Sequence, residues 1–266
     1  MDVVDSISRF FNNSPKRQLE LEKWIMEVLP SEEKRRKIKM LCRTQWVERH
    51  DAYEVFTDLF LVIVSCLEAI VHPPSADWNR DTCSEAQSFL LAVSQFSFVV
   101  TLVVTQTILA FTRGLSVKLQ GRYVDVCRAH RDIESVKTAL EAARSGVDTF
   151  HEHTFEEAAR LGASVGIDES SPRLAGWQQN RSNVPAGTPK DYYKRNLTIP
   201  LLDHTISELD TCFSSDSSAV VVEFMQLLPS AIFEKNASTD LKRLICLSSS
   251  NFMRMFSLLH DPLMSN

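Results

Sequence analysis

The chain has 266 residues, of which 44% are apolar and 24% are charged, and its formal net charge is −5. A chain of this length forms one large domain or two small ones and can bury a sizeable core. The acidic balance argues against a general polyanion-binding protein, so any nucleic-acid contact has to come from a local basic patch. Glycine occurs only 7 times, which disfavours an all-β fold.

The cysteines and the N-terminus indicate the cellular compartment. The closest pair of the six cysteines, Cys66 and Cys83, is 17 residues apart, so no zinc-finger spacing and no CxxC motif is present. The first residues, MDVVDSIS, are acidic and amphipathic, which is not typical of a signal peptide. We therefore expect reduced thiols and a nuclear or cytoplasmic location.

The N-terminal region predicts two helices and a charged connector. The apolar residues of Val3–Phe11 have helical spacing, and Ser14-Pro15 is typical of an N-cap followed by proline at the first helical position. The second helix is predicted to end at Pro30, before the connector SEEKRRKIKM. Its expected inward residues are Leu21, Trp24, Ile25 and Val28.

The clearest pattern in the chain is an apolar seam with alternating steps of three and four residues. It predicts one helix that ends at His72-Pro73-Pro74. The residues of the seam are Tyr53, Phe56, Phe60, Ile63, Leu67 and Ile70.

An uncharged run of 27 residues follows between Glu85 and Arg113. It is long enough to cross a bilayer. However, ten of its residues are Ser, Thr or Gln, and polar groups need partners in lipid. We therefore predict a buried central helix from about Cys83 to Thr112, and no membrane partner.

The rest of the chain also has a helical pattern, with one interruption. A stripe from Leu115 to Val147 and residues 147–166 are predicted to be helical after a break at Gly114. A helix restarts at Thr188-Pro189 and is kinked or broken at Pro200, and its apolar face holds Leu202, Ile206, Leu209 and Phe213. Weaker helices are expected at 216–228 and 240–259.

These elements predict an all-α fold, a bundle of long antiparallel helices. The expected divisions are N-terminal helices with a basic connector (1–40), a long-helix bundle core (41–166), an irregular loop (167–188), C-terminal helices that pack on the bundle (189–230) and a divergent tail (231–266).

Polar side chains are frequent, but their spacing does not indicate catalysis. His151 and His153 diverge by about 200° on a helix and cannot share a metal. Each histidine is expected at the surface or satisfied within the core. The P-loop, dinucleotide-binding, nucleophile-elbow and HExxH motifs are absent from the sequence. We expect no enzyme activity, cofactor, metal or small-molecule substrate.

A first basic patch runs from Lys34 to Arg49, with seven Lys/Arg residues against one acid, Glu48, and it follows Glu32 and Glu33. It fits a solvated connector, a nuclear import signal or a phosphate-contacting edge. If all seven cations touched DNA, the logarithm of affinity would fall with log salt at a slope near about −6. These cations are Lys34, Arg35, Arg36, Lys37, Lys39, Arg43 and Arg49.

A second patch combines cations with aromatic residues in the irregular loop and the helix that follows it. Such a mixture can grip a phosphate backbone and stack on bases, and the alternative is a loop that Trp177 packs onto the bundle. The residues are Arg173, Trp177, Arg181, Lys190, Tyr192, Tyr193, Lys194 and Arg195.

Six blocks in this order resemble hAT-superfamily transposases and their domesticated relatives, the group named after the repressor of the inhibitor of the protein kinase and the zinc-finger MYM-type proteins. The resemblance spans about Val3 to Leu228. The blocks are FFNNSPKRQ (Phe10–Gln18), LCRTQWVERHDAYEVF (Leu41–Phe56), FSFVVTLVV (Phe96–Val104), GLSVKLQG (Gly114–Gly121), NRSNVPAGTPKDYYKRN (Asn180–Asn196) and IPLLDHTISEL (Ile199–Leu209).

The resemblance implies a ribonuclease H-like core with two Asp and one Glu around metal ions, and a long helical domain inserted into that core. This chain resembles the inserted domain alone. In the family the two Asp lie upstream of the first block, and the Glu lies downstream in an SxER-type motif of a dimerisation region. The tail from Leu241 departs from that motif, so the oligomeric state is not indicated. The zinc finger at the front of many relatives is also expected to be absent.

One family feature carries over to a single position. An Arg-Trp pair at the start of the inserted domain is associated with transposon-end DNA, and its Trp matches Trp46. The Arg position is Gln45 here, which removes a cation. A GRQ expected near the loop is Gly176-Trp177-Gln178, which removes a second one. Trp46 is then a DNA contact or an apolar cap of the following helix.

Three functional hypotheses follow. The leading one is a non-catalytic, transposase-derived helical protein that binds DNA weakly and salt-sensitively, or binds a partner protein. The second is a truncated piece of an active transposase, and the third is a regulatory, repressor-like interaction module.

Overall fold

A computed structural model describes residues 3–28, 46–72, 78–119, 126–172 and 187–213, with the side chains of 46–49, 126–128 and 130 outside that description. Every regular element in these ranges is helical, which confirms the all-α prediction. The elements are α1 (Val3–Asn12), α2 (Pro15–Val28), α3 (Trp46–Asp58), α4 (Phe60–Val71), α5 (Arg80–Val93), α6 (Phe96–Leu119), α7 (Val126–Ser145), α8 (Val147–Ala163), α9 (Pro189–Tyr193), a π-helix (Lys194–Thr198) and α10 (Ile199–Cys212).

The helices form two compact units. The first unit comprises Met1–Thr107 and Asp148–Thr198, and the second comprises Ile108–Val147 and Ile199–Asn266. The five-part division expected from the sequence remains a prediction. The helices expected at 216–228 and 240–259 lie outside the described residues.

The core of the first unit is built around α4, which packs against α2, α3 and α5. Phe56 and Phe60 are fully buried. Their rings lie 6.2 and 6.3 Å from the ring of Phe98 on α6. Burial of a side chain of this size stabilises the fold by about 1.5–3 kcal/mol, so this cluster anchors α6 to α3 and α4.

The seam from Tyr53 to Ile70 is buried along its whole length, as predicted, because all six residues are at most 2% exposed. The prediction of one helix was wrong, since α3 and α4 are separate and Leu59 lies between them with φ −94° and ψ 7°. The Leu59 N–H donates to Val55 and the Ile63 N–H donates to Leu59, so the interruption is small. It leaves the apolar residues on one side.

The uncharged run also forms two helices and not one. Ser94 closes α5 by donating its backbone N–H to Leu90 O, and the amide of Gln95 donates to Leu91 O. The Phe98 N–H donates to Gln95 O at the start of α6. The two polar residues thus end one helix and begin the next. The predicted break at Gly114 was wrong, because α6 continues to Leu119.

Among the described residues, α6 is the one helix that is long and apolar enough to cross a membrane by length and composition. The most apolar stretch of α6 is 56% buried inside the protein, as for a core helix of a bundle.

Helix α8 confirms the helix predicted for residues 147–166 and ends in a left-handed turn. Gly166 has φ +72°, a conformation that a residue with a Cβ rarely adopts. The N–H groups of Gly166 and Ile167 donate to Ala163 O and Gly162 O, which satisfies carbonyl groups at the helix end.

The second unit contains a packed pair of helices, α7 and α10. Leu140 of α7 and Leu202 and Leu209 of α10 are at most 1% exposed. Two ion pairs join these helices, Lys137–Asp210 and Arg144–Asp203. The later residue of α7 thus contacts the earlier residue of α10. The two helices are therefore antiparallel. The face predicted for α10 is confirmed at Leu202 and Leu209.

Candidate functional site

The structure describes only some of the residues predicted to contact a partner. Trp46 and Arg49 belong to α3, but their side chains lie outside the description. Five residues of the second patch are described in full: Lys190, Tyr192, Tyr193, Lys194 and Arg195. The predicted residues outside the described ranges are Lys34, Arg35, Arg36, Lys37, Lys39, Arg43, Arg173, Trp177 and Arg181.

The helix that carries the described part of the second patch starts as predicted. Thr188 is the N-cap, and its Oγ1 accepts a hydrogen bond from the Asp191 N–H at 3.1 Å. Pro189 occupies the first turn, where an N–H is not needed. The predicted disturbance near Pro200 takes the form of the π-helix, which ends two residues before it. A proline lacks the N–H of a regular helix and its ring crowds the preceding turn.

Two cations, Lys190 of α9 and Lys194 of the π-helix, are paired with acids of α8. Lys190 Nζ forms an ion pair with Glu152, and Lys194 Nζ lies 2.9 Å from Asp148 Oδ1. The hydrogen bond from Lys190 lowers the pKa of Glu152, and the one to Asp148 raises the pKa of Lys194. The acids and the cations are each one helical turn apart and run in opposite directions. This face therefore presents matched charges.

Tyr193 belongs to the core of the first unit. It is 3% exposed, and its hydroxyl donates to Ser170 O at 2.9 Å. Its ring centroid lies 5.8 Å from that of Phe96 and 6.4 Å from that of Phe155. Burial raises the pKa of the hydroxyl. Tyr193 thus holds α9 against α6 and α8, whereas Arg195 lies at the exposed side of the π-helix.

His151 of α8 is buried beneath the paired charges, and both of its ring nitrogens have partners. Nε2 lies 2.9 Å from Lys190 O, and Nδ1 lies 2.8 Å from Thr198 Oγ1. A carbonyl oxygen only accepts, so Nε2 carries the proton and Nδ1 accepts from the hydroxyl. Burial lowers the pKa of His151. The prediction of a satisfied core histidine is confirmed, and His153 is exposed.

The structure contains a groove between α1, α2 and α5 that we did not predict from the sequence. We call it the α1–α5 groove, and its volume is about 290 Å³. The only sequence signal was the block FFNNSPKRQ, which supplies three of its residues, Phe10, Asn13 and Arg17. Its lining consists of Ser6, Arg9, Phe10, Asn13, Arg17, Glu85 and Phe89.

One wall of the groove is aromatic and carries an arginine. The rings of Phe10 and Phe89 meet edge to face at 5.4 Å. The guanidinium carbon of Arg17 lies 4.2 Å from the centroid of Phe10, within the range of cation–π attraction. Nη1 of Arg17 lies 3.4 Å from Glu85 Oε2. Arginine and aromatic residues are enriched at protein interfaces.

Three side chains with metal-ligand chemistry come close together on α3. His50, Asp51 and Glu54 offer ligand atoms that all lie within 4.8 Å of one another. His50 is buried and Glu54 is exposed. Imidazole and carboxylate groups are ligands for zinc and related ions, but all three come from one helix, a geometry that leaves most of a coordination shell to other groups.

The chain is homologous to part of two curated proteins. The 52 kDa repressor of the inhibitor of the protein kinase from Mus musculus is 31% identical over 242 residues, which cover 90% of this chain and 32% of the relative. The Homo sapiens protein of the same name is 30% identical over 241 residues, with the same shares. The chain thus spans about a third of the length of these relatives. No family model matches the chain, and no solved structure matches it.

Proposed function

We propose that the chain is a non-catalytic, regulatory module derived from a hAT transposase, and that it acts in the nucleus or cytoplasm by binding a partner protein. Two findings support this origin and role. The six ordered blocks resemble the inserted helical domain of that superfamily. The homology to a protein named as a repressor extends over 90% of the chain.

The observation that supports a protein partner is the pairing of Lys190 and Lys194, two of the cations of the second patch, with acids of α8. Lys190 and Lys194 already have carboxylate partners on α8, and Tyr193 is buried. A phosphate backbone would have to displace these acids, which repel it, before it could bind the same cations. The α1–α5 groove, in contrast, has the aromatic and arginine composition of a protein-binding surface.

The absence of catalysis is part of the proposal. The six blocks that resemble the family contain none of the positions assigned to its two Asp and one Glu. We expect the purified chain to leave hairpin and transposon-end DNA intact with Mg²⁺ or Mn²⁺. Reproducible cleavage that a chelator abolishes would contradict a non-catalytic role.

The partner is sought by affinity purification with the tagged chain from nuclease-treated nuclear and cytoplasmic extracts. Proteins that are retained in about 0.1 M salt are identified and purified, and each complex is then exposed to rising salt up to about 0.5 M, where charge contacts at a surface are strongly screened. We expect one of them to form a complex of fixed stoichiometry with the chain. Loss of every purified complex by about 0.3 M salt would instead indicate an electrostatic, nucleic-acid type of contact.

A DNA-binding role is the second candidate, and the basic patch from Lys34 to Arg49 favours it. Seven cations against one acid form a local positive charge on an acidic chain. Replacement of Lys34, Arg35, Arg36 and Lys37 by alanine tests it through the salt dependence of binding to mixed-sequence duplex DNA. This role would be supported if log affinity fell with log salt at a slope of about −6 in the wild type and at a shallower slope in the variant.

One further candidate is a piece of a working transposase. It is considered because the chain spans only 32% of the length of its relative. The genomic reading frame on both sides of the coding segment decides it. In-frame strands with the two Asp and an SxER-type motif would support that candidate, and frames without them would support the regulatory module.

A further inference from the structure

We propose that Ser171 is a phosphorylation site for a proline-directed serine/threonine kinase. The proposal goes beyond the proposed function and does not depend on which partner the chain binds. It rests on a comparison of the three places in the sequence at which a serine or threonine precedes a proline. These are Ser14-Pro15, Ser171-Pro172 and Thr188-Pro189.

Two of these pairs begin helices. Pro15 is the first residue of α2, and Pro189 is the first residue of α9. A hydroxyl residue followed by proline is a favoured start of a helix, because the first N–H of a helix has no acceptor within it. Neither Ser171 nor Pro172 belongs to a helix, so the fold gives the third pair no such role.

Ser171 is also the most accessible of the three residues. It is exposed, and it follows three exposed residues, Asp168, Glu169 and Ser170, in a segment without regular secondary structure. Ser14 is half-buried in the turn between α1 and α2. Exposed, irregular segments are the usual carriers of sites that other proteins must reach.

Thr188 is exposed as well, but its hydroxyl is already in use. Oγ1 accepts a hydrogen bond from the Asp191 N–H at 3.1 Å and donates one to Asp191 Oδ2 at 3.2 Å. A phosphate ester cannot donate this second bond, and its negative charge would face the Asp191 carboxylate. Modification of Thr188 therefore works against the start of α9.

The reaction requires that the hydroxyl reach the γ-phosphate of ATP in line with the leaving oxygen. Ser171 Oγ forms a bond to the γ-phosphorus, the bond from that phosphorus to the β–γ bridging oxygen breaks, and ADP leaves. The hydroxyl proton passes to a base of the kinase. At Ser14 and Thr188 a helix end has to open before the hydroxyl can enter a cleft, and local opening costs free energy.

Pro172 supplies the feature that a proline-directed kinase recognises. A proline restricts the residue before it to an extended backbone, which suits a segment that lies along a cleft. It also has no N–H, so no donor at that position is left without an acceptor when the segment is bound. Ser171 thus combines the recognition feature with an accessible hydroxyl.

The fold can accept a phosphate at Ser171. The neighbouring Ser170 is held to the first unit through its backbone, because the Tyr193 hydroxyl donates to Ser170 O at 2.9 Å. A phosphate adds a charge of about −1.5 to −2 beside the exposed acids Asp168 and Glu169 and leaves that bond in place. We expect a change in surface charge with the fold retained.

The initial rates of phosphorylation at the three sites test the proposal. The purified full chain is incubated with ATP, Mg²⁺ and a cyclin-dependent or mitogen-activated kinase, and mass spectrometry follows each site. Short synthetic peptides centred on the same sites give the rates without the fold. We expect the native and peptide rates at Ser171 to agree within about threefold, and those of the native chain at Ser14 and Thr188 to fall about tenfold below their peptides.

Three variants separate recognition from structure. Ser171→Ala should remove the main phosphate. Pro172→Ala should lower the rate at Ser171 about tenfold without loss of fold, because Pro172 lies outside the helices. Ser170→Ala is the matched control. It changes an exposed neighbour that precedes no proline and keeps the backbone carbonyl that Tyr193 contacts, so it should change neither the rates nor the midpoint of urea unfolding.

The same site should carry phosphate in the cell. The tagged chain is recovered from cultured mammalian cells with phosphatase inhibitors, and we expect mass spectrometry to find phosphoserine at position 171. A recovered chain without phosphate on Ser171 would overturn the proposal. So would an undiminished rate in Pro172→Ala, or a native-to-peptide rate ratio at Ser171 no greater than those at Ser14 and Thr188.

Discussion

His151 and Thr198 share a buried hydrogen bond of 2.8 Å between Nδ1 and Oγ1, which joins α8 to the last residue of the π-helix. The second ring nitrogen of His151 donates to Lys190 O, at the start of α9. One neutral imidazole therefore ties α8 to both ends of the segment that carries the paired cations. The polar contacts beneath the paired charges therefore depend on the protonation state of His151.

We predict that acid destabilises the fold through His151. Its pKa in the folded chain lies below the ordinary value of 6.5, chiefly because it is buried. Below pH 6.5 the unfolded chain therefore binds more protons at this residue, so the free energy of unfolding falls as the pH falls. The loss from one such group is at most about 1.4 kcal/mol per pH unit.

Urea unfolding between neutral and mildly acidic pH measures this effect. His151→Gln should flatten the pH dependence relative to the wild type. The exposed His153→Gln on the same helix should leave that dependence unchanged. An unaltered pH dependence in His151→Gln would show that His151 does not titrate differently in the two states.

The ion pairs between α7 and α10 are predicted to set the register of the helices and to add little stability. Arg144 contacts Asp203 through Nε–Oδ1 at 2.5 Å and Nη2–Oδ2 at 3.2 Å. Its side chain is 36% exposed and that of Asp203 is 52% exposed. A double-mutant cycle with Arg144→Gln and Asp203→Asn should give a coupling energy below about 1 kcal/mol that fades with salt. A coupling energy independent of salt would contradict this assignment.

The sequence predicted the helices well where a local signal decides the structure. Apolar spacing marked the seam from Tyr53 to Ile70, and proline marked the starts of α2 and α9. The breaks at Leu59 and at Ser94–Gln95 have no proline or glycine, so no local signal announced them. They bring Phe60 and Phe98 into one cluster, a tertiary effect that overrides helix propensity.

The candidate site was harder to predict because it depends on residues far apart in the chain. Lys190 and Lys194 were recognised as cations, but their partners Glu152 and Asp148 lie about forty residues earlier. Tyr193 was recognised as an aromatic residue, and only the fold reveals that its ring is buried. The α1–α5 groove joins Phe10 and Phe89, and no spacing in the sequence relates these two positions.

We predict a large difference between two neighbouring core and surface substitutions. Phe60 is fully buried and Leu61 is 37% exposed. Phe60→Ala leaves a cavity in the aromatic cluster and should lower the free energy of unfolding by about 3–5 kcal/mol. Leu61→Ala should cost less than about 1 kcal/mol. Denaturant titration compares the two, and a similar cost for both would argue against the packing of α4.

Cysteine labelling gives an independent test of the first unit. Cys66 is fully buried, and burial raises the pKa of its thiol. Cys83 is half-buried and lies with Sγ 3.4 Å from Ile70 O. Because the thiolate is the reactive form, we expect iodoacetamide to modify Cys83 before Cys66 in the native chain. Mass spectrometry locates the adduct, and early modification of Cys66 would contradict the burial of α4.

The most direct test of the proposed function is the salt dependence of the affinity between the chain and its purified partner. Isothermal titration in rising salt gives the slope of log affinity against log salt. A module that binds through the aromatic and arginine wall of the α1–α5 groove should give a shallow slope, of magnitude below about 2. Arg17→Met should weaken the affinity at every salt concentration. A steep slope of about −6 in the wild type would instead mean that the basic patch from Lys34 to Arg49 dominates binding. That result would contradict the proposed protein-binding role of the groove.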